Sequence, residues 1–209
     1  MRSEDLPVYL SLARAVEARN PYTFEHSVRV AALAVRFGRH LGLAADLLWA
    51  LEVGSLLHDV GKIGVPDSVL LKPEPLTWAE RQIMERHPLV GCAILEPLGL
   101  PAEVLAVVRH HHERWDGLGY PSGLVARDIP LVARLVALAD AWDAMLSARP
   151  YRTRLGRLSA LQEIRDQAGG QFDPELAAAF VQYYCNSQDP AVSAGGGAVV
   201  LQATGFITV

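Results

Sequence analysis

The sequence predicts an all-α protein, a single helical bundle over residues 1–187 followed by a short tail over 188–209. Apolar residues recur at three- and four-residue intervals along most of the chain, the spacing that lines one face of an α-helix. No sustained alternation of apolar and polar residues occurs before the last dozen positions, so little reads as strand. Glycine and proline collect between the periodic segments, where they break helices.

Taken in order, the first helix is expected over 6–19 and stops at Asn20-Pro21. The second, over 23–41, carries His26, Val30, Leu33 and Phe37 on one face, and a third covers 44–60. Gly64-Val65-Pro66 and Lys72-Pro73-Glu74-Pro75 separate it from a fourth over 77–95. The stretch from Pro97 to Pro101 precedes a fifth over 101–113, and the longest break, Asp116 to Pro130, leads to helices over 129–147, 157–168 and 174–185. The tail contains Gly195-Gly196-Gly197 and then Ala198-Val199-Val200-Leu201, and is expected to be flexible or a short strand.

Bulk properties exclude several classes. With 209 residues the chain can bury a core without disulfides or structural metal. Its apolar runs are broken by charge or glycine well short of the roughly 20 residues a membrane span requires. The acidic start, Met1 to Asp5, lacks the pattern of a secretory signal, so a cytoplasmic location is expected. Cys92 and Cys185 are expected to be free thiols, and the net charge of −4 argues against a basic nucleic-acid surface.

The informative pattern is ionisable residues standing where a helix stripe should be apolar. His26 continues to Val30 and Leu33, His58 follows Leu47, Leu51 and Gly54, and His87 sits between Ile83 and Gly91-Ile94. His111 follows Val104 and Val107-Val108, and Asp140 follows Val132 and Val136. Asp59 adjoins His58. Burying such groups unpaired costs several kcal/mol each, which leaves mutual hydrogen bonding, pKa shift or metal coordination as remedies. A mixed nitrogen and oxygen set suits first-row divalent ions. Helix geometry alone leaves open which of His110, His111 and His112 bind.

His58-Asp59-Val60-Gly61-Lys62 and the run His111-His112-Glu113-Arg114-Trp115-Asp116-Gly117-Leu118-Gly119-Tyr120-Pro121 resemble the motifs of the HD-GYP family within the HD phosphohydrolase superfamily. Asn20-Pro21-Tyr22-Thr23, His26-Ser27-Val28-Arg29-Val30, Arg86-His87-Pro88, Ala139-Asp140 and Arg149-Pro150-Tyr151-Arg152 follow the family's order. The resemblance implies a helical HD-type bundle and a cytoplasmic phosphodiesterase that hydrolyses cyclic di-GMP with two divalent metals, iron or manganese, activating a hydroxide. It assigns His26, His58, Asp59 and Asp140 to one metal and Asp59, His87, His111 and His112 to the other, with Asp59 bridging. By the same resemblance Lys62 lies near the scissile phosphate, Arg149 and Arg152 hold the other phosphate, and Glu113 orients a ligand histidine. Asp116, Gly119, Tyr120 and Pro121 form a loop linked in the family to diguanylate cyclase (GGDEF) domains. A homodimer is compatible with it. Tyr22 stands where trinuclear members carry a glutamate, which implies two metals and a linear pGpG product. The rival readings are an HD phosphohydrolase acting on another nucleotide or phosphoester, and a non-catalytic module that senses a cyclic dinucleotide or docks a GGDEF partner.

Overall fold

The computed structural model describes residues 6–19, 24–147 and 154–186. Ten α-helices occur among them: α1 (Leu6–Glu17), α2 (Phe24–His40), α3 (Ala45–Leu57), α4 (Asp67–Leu70), α5 (Trp78–Met84), α6 (His87–Leu95), α7 (Ala102–His110), α8 (Leu131–Leu146), α9 (Arg157–Asp166) and α10 (Pro174–Asn186). Single 3₁₀ turns fill Val60–Gly64, Glu96–Leu98 and Ala126–Asp128. No strand is present among the described residues, which agrees with the all-α reading. None of the described helices is long and apolar enough to cross a membrane. Asn20-Pro21-Tyr22-Thr23, Arg149 to Arg152 and the tail lie outside the described residues.

Three boundaries differ from the expected ones for identifiable reasons. The helix expected over 77–95 divides into α5 and α6 at Glu85–Arg86. Pro88 lies in the first turn of α6, where a missing N–H costs nothing, and a helix running through that position would lose a backbone bond. The third helix stops at Leu57, and Val60–Gly64 tightens into a 3₁₀ turn. The fifth ends at His110. The start of α5 follows its sequence: Thr77 Oγ1 accepts the Glu80 N–H at 3.4 Å and the Glu80 carboxylate accepts the Thr77 N–H at 2.7 Å, a capping box.

The bundle is built on α2 and α3. These pack against each other, α2 also lies on α8, and α3 also lies on α7. Val30, Phe37, Leu51, Leu57, Val104, Val107, Leu135 and Val136 fill the space between them. Close approach depends on glycine at two places. A Cβ at Gly54 would come within 2.7 Å of the Val107 Cβ, so α3 and α7 touch there nearly backbone to side chain. At Gly61 a Cβ would overlap the His87 carbonyl oxygen, so the turn after α3 lies against the first turn of α6. That contact fixes the distance between Asp59 and His87.

Glu52 is a buried misfit, 4% exposed on α3 with Oε1 lacking any hydrogen-bond partner. Burial pushes its pKa up, against the pull of the Arg39 charge. A raised folded pKa means that the site costs little below the ordinary glutamate value and more as pH climbs through the folded value. Glu52→Met is expected to raise stability by about 1–2 kcal/mol at pH 8, with the gain shrinking towards pH 5, as urea unfolding at the two pH values would show. An equal gain at both would contradict the burial argument. Gly61→Ala is expected to lower stability by about 3 kcal/mol, because backbone rather than a flexible side chain must yield. Denaturation midpoints of the two proteins provide the check.

Candidate metal centre

Four of the five candidate imidazoles are held by the nitrogen that faces away from the site. His58 follows the last residue of α3 and donates from Nδ1 to the Ser55 carbonyl at 2.6 Å. His87, at the start of α6, donates to the Met84 carbonyl at 2.9 Å, and His111, just after α7, to the Val108 carbonyl at 3.0 Å. These tethers put the proton on Nδ1 and leave Nε2 as a lone pair facing inwards. His26, in the first turn of α2, is held differently: Nδ1 donates to Asp143 Oδ2 at 2.7 Å, and Nε2 lies 3.0 Å from Asp140 Oδ1.

The fold brings these groups into two clusters. His26, His58 and Asp140 offer ligand atoms that lie within 4.8 Å of one another, and Asp59, His87, His111 and His112 do the same. The His58 and His111 rings, 4.9 Å apart between centroids, join the clusters. Asp59 reaches both sides: Oδ2 is 3.5 Å from His58 Nε2, and Oδ1 is 3.4 Å from His87 Nε2. The seven residues expected to hold metal thus share one pocket. His110 belongs to neither cluster and lies 3.4 Å from Glu113 Oε1.

The electrostatics fit a cation. Burial pulls His87 down to about 4, His112 to about 3 and His111 well below the usual range, so these rings are neutral at pH 7. His87 Nε2 and His111 Nε2 are nevertheless only 3.3 Å apart, two lone pairs with no proton between them. Asp59 Oδ1 is buried without a hydrogen bond. Burial opposes its charge, but Lys62, followed by His58 and His87, holds the carboxyl well below the carboxylate range. In the other cluster burial works against protonation of His26, yet its bonds to Asp140 and Asp143 outweigh that and raise it to about 9. A proton or a metal cation can fill the His26–Asp140 contact. Converging lone pairs, an ionised carboxylate and an orphan oxygen form a donor set that fits divalent metal.

Around the pocket, the remaining expected residues divide. Lys62 Nζ is 2.6 Å from Asp59 Oδ2, with 22% of its side chain exposed at the rim. The Tyr120 ring lies 4.8 Å from that of His112 at 32° and 6.3 Å from that of His87. At Gly119 a Cβ would sit 2.6 Å from the His112 carbonyl oxygen, so this glycine lets the loop press onto the end of α7. Asp116 accepts from Arg114 at 2.6 Å and from the Leu118 N–H at 3.0 Å, which folds the same loop. Glu113 departs from expectation. Its oxygens accept the N–H groups of Ser122 at 2.8 Å and Leu124 at 3.1 Å, so it fastens the loop rather than a ligand ring. Pro121 follows Tyr120 in that loop. Arg149 and Arg152 fall outside the described residues.

Asp143 is the site residue that sequence reasoning missed. It is buried, accepts from His26, and receives Arg29 Nε at 2.6 Å on Oδ1. The available signal was its position three residues after Asp140, on the same stripe of α8.

Residues 11–176 match the HD domain family model. The chain is 43% identical over 174 residues to the cyclic di-GMP phosphodiesterase response regulator RpfG of Xanthomonas campestris pv. campestris, an alignment covering 82% of this chain and 46% of that protein. It is 40% identical over 168 residues to a cyclic di-GMP phosphodiesterase of Thermotoga maritima, covering 79% of this chain and 46% of that one. The chain therefore spans about half the length of these curated relatives. Among solved structures, a cyclic GMP-AMP specific phosphodiesterase of Vibrio cholerae superposes with a TM-score of 0.71 at 21% identity, over 94% of this chain and 53% of its own, a likeness of fold. The matched model spans the helices that carry every donor of the pocket, and the chain belongs to the HD domain family.

Proposed function

We propose that this chain is a metal-dependent phosphodiesterase that opens cyclic di-GMP to linear pGpG. The observation that carries the reading is Asp59, buried between the two donor clusters with one oxygen towards each. The names of the relatives at 40% and 43% identity support the substrate. His26, His58 and Asp140 would hold one divalent ion and His87, His111 and His112 the other, with Asp59 shared. Iron or manganese suits this mixture of nitrogen and oxygen. Two ions rather than three are proposed because Tyr22 offers only a phenol where trinuclear members have a carboxylate. Such a pair supplies Lewis acidity that makes water a nucleophile near neutral pH and offsets charge on the phosphate.

The protein's own residues do the rest. The neutral, tethered rings of His87 and His111 present lone pairs without first losing a proton, whereas His26 gives up its proton when an ion binds. Lys62, at the rim, can turn from Asp59 to an oxygen of the scissile phosphate, and Arg149 and Arg152 are proposed for the second phosphate. Tyr120 covers the His112 ring. A GGDEF domain is the proposed protein partner of the adjoining loop, where Leu118 is 80% exposed.

The test is purified protein loaded anaerobically with Fe(II) or Mn(II) and incubated with cyclic di-GMP, with products separated by chromatography. Accumulation of pGpG is expected; the absence of turnover across a broad pH range would reject the reading, and cleavage of another phosphoester alone would redirect it. Lys62→Met is expected to keep its metal content, measured by elemental analysis, while turnover falls by roughly 10²–10³-fold, as when a single positioned charge is removed from a transition state.

A further inference from the structure

Three candidate ligand rings are oriented by their own chain. His58, His87 and His111 each donate Nδ1 to a backbone carbonyl three residues earlier, at 2.6, 2.9 and 3.0 Å. A tether of that kind survives any side-chain substitution. His26, the third residue of α2, is held by a side chain. Its Nδ1 is held instead by Asp143, a side chain from α8.

A buried carboxylate is a poor anchor unless something fixes it in turn. Asp143 is fixed by Arg29, one turn along α2 from His26. Arg29 Nε lies 2.6 Å from Oδ1 and Nη2 3.1 Å from Oδ2, a fork matched to both oxygens. Ser147 closes the group, with Oγ 3.2 Å from Arg29 Nη2 and 3.2 Å from Asp143 Oδ2. The chain of contacts leaves α2 at Arg29, crosses to α8 at Asp143 and returns to α2 at His26, whose other nitrogen meets Asp140 one turn back on α8. Among the described residues, no arginine–carboxylate fork of this kind backs a ring of the other cluster, where Lys62 pairs directly with Asp59.

We infer that Arg29 and Asp143 form a clamp that serves only the His26 half of the centre, making it the half whose metal affinity can be lost while the other is kept. The inference rests on the metal-centre reading above. Arg29 is a positioning residue, acting through Asp143 and His26 without touching the ion. A lysine in its place delivers charge but no fork, so the geometry is only partly restored. Loss of such an outer support typically weakens metal binding by roughly 10–100-fold.

The experiment is Mn(II) or Fe(II) titration against a competing chromophoric chelator, with circular dichroism on the same samples, for the unmodified protein, Arg29→Ala, Arg29→Lys, Asp143→Asn and the Arg29→Ala/Asp143→Asn double variant. The expected result is two ions on the unmodified protein and one tight plus one weakened ion, by roughly 10–100-fold, on Arg29→Ala at unchanged helicity. Arg29→Lys should fall between, and the double variant should be no worse than Asp143→Asn. Two ions of unchanged affinity on both single variants would overturn the clamp while leaving the metal centre intact. Equal weakening of both ions, or loss of helicity together with both, would also overturn it by showing a general structural role. An unmodified protein that binds no ion would overturn the metal centre and the clamp together.

Discussion

The structure turns on one constraint: imidazoles and carboxylates buried at the centre of a helical bundle must be satisfied there, because water is excluded. Helices supply no spare backbone acceptors in their interiors, yet their C-terminal ends do. His58, His87 and His111 all sit at or just beyond a helix end, where the chain bends and nearby carbonyls are free to accept Nδ1–H. Each tether sets a tautomer and turns a lone pair inwards. Three such ends meeting at one point produce the pocket, and the apolar faces of α2, α3, α7 and α8 hold them there.

Meeting at one point requires the helices to come unusually close. Gly54 removes the side chain that would separate α3 from α7, and Gly61 lets the turn after Asp59 lie against the backbone at His87. Gly119 plays the same part for the loop that follows the paired histidines, bringing Tyr120 over His112. The motif glycines are spacers that set distances between chemical groups, whereas the large side chains around them contribute the burial that stabilises the arrangement. The ligand geometry and the core packing are therefore one problem with one solution.

Much of this was legible in the residues. A histidine or aspartate on an otherwise apolar stripe is visible from helical period alone, and all seven expected ligands share one pocket. The bundle and most helices were equally legible, because the period extends over long segments. Other features were hidden. The approach of Gly61 to the His87 carbonyl and Gly91 in α6 joins residues up to thirty positions apart. Glu113 looked like support for a histidine because it follows two of them, but at the end of α7 its carboxylate faces the N–H groups of Ser122 and Leu124.

By itself the sequence determined the helical class and the burial of polar groups on apolar faces, since both are set by local period and residue chemistry, and the resemblance of its motifs supplied the candidate donors. Tertiary structure alone decided the distances within each cluster and that Arg29 and Asp143 reach across from α2 to α8 to hold His26. The physical reason is that clustering depends on which helix faces meet and how closely. Crossings of that kind are fixed by packing between residues as much as 117 positions apart, and no local pattern encodes them.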